Sequence, residues 1–391
     1  MKEIAEPTNI NERISSIDIL RGFALLGIIL VNALGFNASF FDFGGFYNSL
    51  PDEFQKHFYT IYISLTADKF IFLFGFLFGY GTYLQFNKFN ELKGNFTKFF
   101  SRRMFVLFLF GVAHILFLWA GDILLCYSIA GFVLLLFHKL PSKWILLFAI
   151  LFYFFIAVWL ILSVWIHLPD PMTSTYTEGL AQAKIVYANG NYFDCLKLRL
   201  QEYFAFRNIN TFYYLPKIIG IAIFGFLASK YNLHQKVAEK KLRWSLILIG
   251  TITIGTIAYF GYEKIVDFKS PFANAEYMFG YEFMNIFIAS SYLLFIMLLA
   301  STDVIAKFLK PIGLMGRMSL TNYIMQSIIL SLIFYGWGFG LFGQTKVTNV
   351  VMIALCVYSF QVILNSIWFT FYKQGPLEKL WRTLSYKKSK K

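Results

Sequence analysis

Long apolar runs alternate with short polar segments along almost the whole chain. Most runs have the roughly 20 residues that an α-helix needs to cross the hydrocarbon core of a bilayer. This pattern predicts ten transmembrane helices, near residues 17–36, 59–86, 104–120, 122–138, 144–168, 212–230, 243–262, 280–301, 317–340 and 347–372. The predicted fold class is therefore all-α, that of a polytopic integral membrane protein.

The polar segments between these runs divide the chain into five parts. They are an N-terminal segment (1–16), a five-helix half (17–168), a long polar loop (169–211), a second five-helix half (212–372) and a basic tail (373–391). The loop carries apolar residues at roughly helical spacing from Leu180 to Phe204, which predicts an interfacial helix. That helix either caps the membrane or belongs to a solvated linker, and the pattern leaves both alternatives open.

The positive charges indicate how the chain is oriented. Lys and Arg concentrate in the segments on one side of the predicted helices, the side that carries both termini. Cytoplasmic segments of membrane proteins are enriched in these residues. We therefore predict that the N- and C-termini are cytoplasmic and that the tail YKKSKK contacts anionic lipid.

Composition agrees with a membrane protein and excludes several other classes. The 391 residues are 58% hydrophobic and 20% aromatic, and only 14% are charged. The net charge of +14 comes from short segments between apolar runs, so nucleic-acid binding is not expected. Cys126, Cys195 and Cys356 form no recognisable disulfide, thioredoxin-like or zinc-binding pattern. No metal cofactor is predicted.

Two of the predicted helices carry charged residues at their apolar faces. In the first helix, Asp18 and Arg21 are three residues apart and can pair, and Asn32 lies further along the same face. The pair either fixes the helix end or lines a hydrated cavity. In the second helix, Asp68 and Lys69 fall near mid-membrane, where ionisable groups are typical of functional sites. Their directions differ by about 100°, so we expect partners on different helices.

The third helix begins with Arg102 and Arg103 and carries His114 near mid-membrane. Asp122 follows at the predicted outer hairpin, about 12 Å further along the helix axis. At that distance the two side chains do not meet unless the chain bends, so Asp68 is the candidate partner of His114. The histidine is either a general base or a hydrogen-bonded packing residue.

A last polar group opens the ninth predicted helix. Arg317 lies at its cytoplasmic boundary, and Asn322 and Gln326 follow one turn apart. Such amides either bridge helices or bind a ligand. Together with Arg21, Arg102 and Arg103, Arg317 predicts a cavity on the cytoplasmic side that suits an anionic, phosphate-bearing coenzyme. The deeper groups suit proton transfer or ion passage.

Four stretches of the chain resemble the YeiB-like family of bacterial multi-pass membrane proteins. They are RISSIDILRGFALLGIILVNA (13–33), KFIFLFGFLFGYG (69–81), RRMFVLFLFGVAHILFLWAGDILLCYSIAG (102–131) and GRMSLTNYIMQSIILSLIFYGWGFGLFGQ with KQGPLEKLWR (316–344 and 373–382). The resemblance covers nearly the whole chain and implies a location in the bacterial cytoplasmic membrane.

LRGFALLGIILVN and TADKFIFLFG also resemble, more distantly, transmembrane acyltransferases of the heparan-α-glucosaminide N-acetyltransferase type. That resemblance implies transfer of an acyl group from cytoplasmic acyl-CoA, such as acetyl-CoA, to an acceptor across the membrane. It implies an active histidine between the first two helices, where this chain has His57, whereas the YeiB-like motif carries His114.

The sequence therefore leads to one hypothesis and two alternatives. In the first, arginines hold acyl-CoA, His114 or His57 removes a proton from a hydroxyl or amine, and Asp68 or Asp122 orients the imidazole. In the second, Asp68, Lys69 and His114 form the relay of a proton-coupled transporter or exporter. In the third, the polar residues only join helices. The expected partners are the lipid bilayer, the acyl donor, its acceptor and, as an alternative to a monomer, a second copy of the chain.

Overall fold

The computed structural model describes residues 14–39, 43–91, 95–166, 177–264 and 266–386, and within them the regular structure is entirely helical. The helices are α1 (Ser15–Asn37), α2 (Phe43–Asn48), α3 (Glu53–Thr66), α4 (Lys69–Glu91), α5 (Phe96–Phe117), α6 (Leu124–Phe137), α7 (Ser142–Tyr153), α8 (Phe155–Ile166), α9 (Thr177–Asn189), α10 (Tyr192–Ala205), α11 (Arg207–Ile209), α12 (Leu215–Lys230), α13 (Leu233–Glu239), α14 (Lys241–Gly261), α15 (Ala273–Ala300), α16 (Asp303–Phe308), α17 (Lys310–Arg317), α18 (Ser319–Phe334), α19 (Val347–Phe371) and α20 (Pro376–Ser385). A π-helical turn (Asn210–Tyr214) precedes α12, and a 3₁₀ turn (Tyr262–Lys264) follows α14.

The lengths of these helices are those of a polytopic membrane protein. Within the described residues, seven helical segments are long and apolar enough to cross a bilayer, and an eighth is formed if α7 and α8, bent by 63°, count as one span. The apolar helices α6 and α18 are shorter. All ten predicted segments are helical, but by length only seven or eight of them meet the requirement of a full span.

The second predicted span is not the continuous helix expected over 59–86. Helix α3 ends at Thr66 and α4 begins at Lys69, because Asp68 has a φ of 64° and left-handed backbone cannot continue a right-handed helix. The tyrosine hydroxyl of Tyr292 donates to the carbonyl oxygen of Leu65 at the break, 3.1 Å away. A side chain from another helix thus satisfies a backbone group that the interruption leaves without a helical partner.

Helices α4 and α12 approach each other closely at small residues. A Cβ atom at Gly79 would overlap the backbone of Ala222, and one at Gly225 would overlap the backbone of Phe76. Glycine at these two positions lets the backbones touch, as in other membrane helix pairs. This contact fixes α12, and with it Lys217, beside the break before α4.

Helix α1 lies at the centre of the bundle, between α4, α15, α17, α18 and α19. We call the side on which α1 begins the N-terminal side, and the other the opposite side. On the opposite side, α9 and α10 pack against the bundle: the ring of Tyr187 stacks on Tyr335 at 4.6 Å, and its carbonyl accepts a 2.7 Å hydrogen bond from Gly336 N–H. Residues 177–205 therefore form part of the packed structure, while 169–176 lie outside the described residues.

Candidate functional site

A cavity of about 460 Å³ lies on the N-terminal side, between α1, α4, α5, α18 and α20. Charged side chains line its outer part: Asp18, Arg21, Lys88, Arg103, Arg317, Glu378 and Arg382. Apolar and aromatic side chains line much of the rest, among them Leu77, Phe78, Met104, Leu107, Leu124, Tyr127 and Tyr323, together with the polar residues Thr82, Gln85, Ser319 and Gln374. The cavity therefore combines cationic groups with an apolar and aromatic part.

Three of the four arginines predicted to share a cavity do so. Arg21 pairs with Asp18 at 3.2 Å, as the three-residue spacing predicts. The guanidinium carbon of Arg103 lies 3.6 Å from the ring centroid of Trp381, and that of Arg317 lies 4.2 Å from the ring of Phe369. Arg102 is not among the described residues that line the cavity.

Helix α20 forms one wall of the cavity, which the sequence did not predict. Glu378 accepts hydrogen bonds from the backbone N–H groups of Leu320 and Thr321, at 2.8 and 3.1 Å, and from the Thr321 hydroxyl at 2.6 Å. These are the first residues of α18, whose free N–H groups favour a carboxylate. Desolvation in this contact raises the pKa of Glu378. The contact holds α20 against the start of α18.

His114 lies immediately behind the inner wall of the cavity. Its ring and that of Tyr323, which lines the cavity, have centroids 5.0 Å apart. Nε2 of His114 is 2.8 Å from the hydroxyl oxygen of Ser327 in α18, and Nδ1 is 3.0 Å from Oδ1 of Asp122. The second contact has the distance of an ion pair without the alignment of a hydrogen bond. Carboxylate, imidazole and hydroxyl thus follow one another from three separate segments.

Asp122 reaches His114 because the chain turns back after α5. Helix α5 ends at Phe117, and α6 begins at Leu124 beside Gly111, where a Cβ atom would lie 2.6 Å from Leu125 N. Oδ2 of Asp122 accepts a 2.7 Å hydrogen bond from that same N–H of Leu125. The carboxylate therefore caps α6 with one oxygen and meets the imidazole with the other.

Asp68 is not the partner of His114, contrary to the expectation from spacing. It belongs to a second buried cluster, where Oδ2 lies 3.3 Å from Nζ of Lys217 in α12. The same Nζ is 2.6 Å from Oε1 of Glu282 in α15. The reason is the helix break, which turns Asp68 towards α12 and α15 and away from α5.

Two tyrosines complete this second cluster. The Tyr213 hydroxyl is 2.7 Å from Glu282, 3.1 Å from Asp68 and 3.0 Å from Lys217, and the Tyr281 hydroxyl donates to Asp68 at 2.9 Å. Lys69, only 1% exposed, has its ammonium 5.8 Å from the Tyr281 ring centroid. Asp68 thus has partners on α12 and α15, and the aromatic contact of Lys69 is also on α15, so the two residues share a neighbouring helix instead of having partners on different helices.

Some buried polar atoms in and beside this cluster form no hydrogen bond in the described structure. Oε2 of Glu282 and both amide atoms of Asn285 are buried without a hydrogen-bond partner in the described structure. Asn285 follows Glu282 by three residues on α15, so the two share a face.

The other predicted residues lie away from the cavity wall. Asn322 and Gln326 form an amide ladder with α19, in which Asn322 bonds Asn365 at 2.9 and 3.1 Å and Gln326 bonds Gln361 at 2.9 Å. These amides therefore bridge two helices, which is one of the two alternatives left open by the sequence. The prediction that they bind a ligand was wrong. Asn32 lies about 16 Å along α1 from Arg21 and is likewise absent from the described lining.

His57, the other candidate for the catalytic histidine, is exposed on α3. Its Nδ1 contacts the carbonyl oxygen of Glu53, one turn earlier, at 2.7 Å. Within the described residues, the group of acid, imidazole and hydroxyl is therefore at His114, and His57 lies outside it.

Ser327, Lys217 and Glu282 were not assigned to a site from the sequence. Ser327 directly follows Gln326 and lies one turn after Tyr323, which lines the cavity. Buried ionisable residues within apolar runs were the available signal for Lys217 and Glu282.

The chain is similar to a family of unknown function and to uncharacterized bacterial proteins. Residues 227–388 match the model of a family described as "Protein of unknown function (DUF418)". The chain is 29% identical to the uncharacterized protein YxaH of Bacillus subtilis (strain 168) over 397 residues, covering 97% of this chain and 96% of the relative. It is 26% identical to the uncharacterized protein YeiB of Escherichia coli (strain K12) over 409 residues, covering 96% of each. The predicted resemblance to YeiB-like proteins is confirmed.

Proposed function

We propose that the protein is a membrane acyltransferase that takes an acyl group from acyl-CoA on its N-terminal side, which would face the cytoplasm. The observation that carries the proposal is a cavity with cationic groups in its outer part and the ring of Tyr323, in contact with His114, on its inner wall. The acceptor would be a hydroxyl or amine of a sugar, glycan or lipid.

The charge of the cavity favours the phosphates of coenzyme A. Its lining has five cationic side chains, Arg21, Lys88, Arg103, Arg317 and Arg382, and two carboxylates. Asp18 is paired with Arg21, and Glu378 is bonded to the start of α18. A guanidinium group such as that of Arg103 can form charge-assisted hydrogen bonds with phosphate oxygens.

The volume and the apolar inner wall suit the acyl end of the donor. Small-molecule sites usually have about 300–1,000 Å³, and this cavity has about 460 Å³. Met104, Leu107 and Leu124 would surround an acyl chain, whereas the adenosine part would remain among the arginines. The thioester would then approach Tyr323 and His114.

In this proposal His114 is the general base and Asp122 is its positioning residue. Asp122 would hold the proton of His114 on Nδ1, so that Nε2 is free to accept a proton from the nucleophile. A base of this kind contributes about 10²- to 10⁴-fold to a rate. Replacing His114 should therefore remove transfer without changing the affinity for the donor.

Binding and transfer can be measured on the same purified protein. Titration of coenzyme A into the protein in nanodiscs should give saturable binding that Arg103→Gln weakens and that Arg243→Gln, an exposed residue of α14, leaves unchanged. Radiolabelled acetyl-CoA should lose its acetyl group to membrane lipid, glycan or water with wild type and not with His114→Gln. Absence of both binding and transfer would reject the proposal.

A second candidate function rests on the buried cluster of Asp68, Lys217 and Glu282. Ionisable groups at a broken membrane helix are typical of proton-coupled transporters. In this alternative, protons would exchange at Glu282 as solute passes. Proteoliposomes with an internal pH dye would then show solute-dependent proton movement that Glu282→Gln abolishes, and no transfer from acetyl-CoA.

A further inference from the structure

Ser327 contacts His114 and has no role predicted from the sequence. We propose that Ser327 is a nucleophile that accepts the acyl group and forms an ester intermediate. This inference rests on the proposed acyl transfer, but the reactivity of the serine can be measured independently of it.

The first support is the order of the three groups. Asp122, His114 and Ser327 lie in a row, with 3.0 Å between Oδ1 and Nδ1 and 2.8 Å between Nε2 and the serine oxygen. A carboxylate, an imidazole and a hydroxyl in this order are the groups that activate a serine in unrelated acyl-transfer enzymes. If this 3.0 Å contact closes into a hydrogen bond, the carboxylate would keep the ring proton on Nδ1 and leave Nε2 to accept the proton of the serine.

The second support is the contrast with other buried serines. Ser331, one turn later on α18, donates to the carbonyl oxygen of Ile328 at 2.9 Å, and Ser128 donates to that of Leu125 at 2.7 Å. Both form the local helix bond that satisfies a hydroxyl in a membrane helix. Ser327 has its backbone contact, to Tyr323, at 3.4 Å and its shorter contact to the imidazole.

The third support is the relation to the cavity. Ser327 follows Tyr323 by one helical turn, so the two residues lie on the same face of α18. Tyr323 lines the cavity, and Ser327 lies behind it with 1% of its surface exposed. An acyl group that reaches Tyr323 from the N-terminal side is therefore one turn from the serine oxygen. The side chain of Tyr323 separates the cavity from the serine oxygen and would have to move for the thioester to reach it, and the same burial would keep water from the ester.

The proposed step is balanced without any further reagent. The serine oxygen attacks the thioester carbon as its proton moves to Nε2 of His114. The carbon–sulfur bond breaks, the sulfur takes that proton and leaves as the thiol of coenzyme A, and an acyl ester remains on Ser327. In the second half, an acceptor hydroxyl or amine attacks the ester, gives its proton to Nε2, and the serine oxygen leaves with it.

A fluorophosphonate probe and acetyl-CoA test the inference on the full chain in nanodiscs. We expect the probe to label one residue, Ser327, and acetyl-CoA without acceptor to give an acetyl adduct on the same peptide by mass spectrometry. Ser327→Ala should lose both adducts, and His114→Gln should slow both by about 10²-fold or more. The matched control, Ser331→Ala, should be labelled as wild type.

A second variant separates loss of the nucleophile from loss of folding. Ser327→Cys keeps a nucleophile, and its acetyl adduct should appear on the new thiol. The inference is overturned if Ser327→Ala elutes as a folded species and transfers acetyl groups at the wild-type rate. It is also overturned if neither the fluorophosphonate probe nor acetyl-CoA labels the wild-type protein. If Ser327→Ala transfers acetyl groups at the wild-type rate, the proposed acyl transfer itself still stands. If wild type neither binds nor consumes acetyl-CoA, that proposal fails, and probe labelling alone decides whether the serine is activated.

Discussion

Arg103 and Trp381 contact each other twice at the outer part of the cavity. The guanidinium carbon of Arg103 lies 3.6 Å from the ring centroid of Trp381, and the indole N–H donates to the backbone carbonyl of Arg103 at 2.9 Å. The first contact is a cation–π interaction and the second joins the side chain of α20 to the backbone of α5. The pair therefore both orients a guanidinium and closes the cavity with the C-terminal helix.

Removing this indole should weaken the binding of coenzyme A. A cation–π contact is worth about 0.5–2 kcal/mol, so Trp381→Ala should raise the Kd for coenzyme A by roughly 2- to 30-fold, measured by calorimetry in nanodiscs. The control is Trp144→Ala, because Trp144 lies on α7 and is 48% exposed. An unchanged Kd for Trp381→Ala would mean that the orientation of Arg103 does not contribute to donor binding.

The contact between Glu378 and the start of α18 should contribute to stability. Loss of an N-terminal cap costs about 0.5–2 kcal/mol, so Glu378→Ala should unfold at a lower temperature than wild type. Glu378→Gln keeps one acceptor oxygen and should lose less. Thermal unfolding of the purified protein measures both variants, with Glu239→Ala, an exposed residue of α13, as the control. Equal melting temperatures for Glu378→Ala and wild type would contradict the capping role.

Lys217 should be the most sensitive member of its cluster. Its ammonium lies 2.6 Å from Glu282 and 3.3 Å from Asp68, and all three side chains are at most 7% exposed. Removing one partner from a buried ion pair costs about 3–5 kcal/mol, so we expect Lys217→Met to be strongly destabilised. The triple variant Lys217→Met, Asp68→Asn, Glu282→Gln should recover part of that loss, because no buried carboxylate is then left without its cation and the ammonium of Lys69 is the charge that remains.

The stability of these variants can be compared by chemical unfolding in detergent. Lys236→Met, at an exposed position of α13, controls for the loss of one positive charge. If the triple variant is no more stable than Lys217→Met, the charges do not act as a unit, and the cost must come from packing.

The sequence predicted features that depend on local spacing. The helical segments follow from the length of the apolar runs, and the contact between Asp18 and Arg21 follows from their three-residue separation. The gathering of Arg21, Arg103 and Arg317 at one cavity also follows, since Arg21 and Arg103 lie about two turns into α1 and α5 and Arg317 lies just before α18, all on the same side. These predictions needed no knowledge of the contacts between distant segments.

What the sequence did not predict depends on changes of backbone direction. A straight helix separates His114 from Asp122 by about 12 Å, whereas the chain turns back between Phe117 and Leu124 and brings them to 3.0 Å. The periodicity of apolar residues also does not predict the left-handed backbone at Asp68. That conformation depends on partners of the carboxylate on α12 and α15, which are distant in the sequence. Ser327 escaped notice because a serine in a membrane helix usually bonds its own backbone.

A buried carboxylate on the opposite side should make stability depend on pH. Glu202 in α10 accepts hydrogen bonds from the hydroxyls of Tyr187 at 2.7 Å and Ser39 at 3.0 Å, with Arg199 nearby. Desolvation raises the pKa of Glu202 from 4.5 to about 7, against the opposing effects of these neighbours. Between those two values the folded protein keeps a proton that the unfolded chain releases. The contribution of Glu202 to the free energy of unfolding therefore falls as pH rises through this window and is constant above it.

Glu202→Gln removes this titration and isolates its effect. The amide cannot ionise, so the melting temperature of the variant minus that of wild type should increase from about pH 4.5 to about pH 7 and level off above. Glu239→Gln, at an exposed position of α13, should give a difference that does not change across the window. Parallel curves for Glu202→Gln and wild type would show that this carboxyl group titrates alike in the folded and unfolded chain, and that α10 is not held against the bundle through its protonated form.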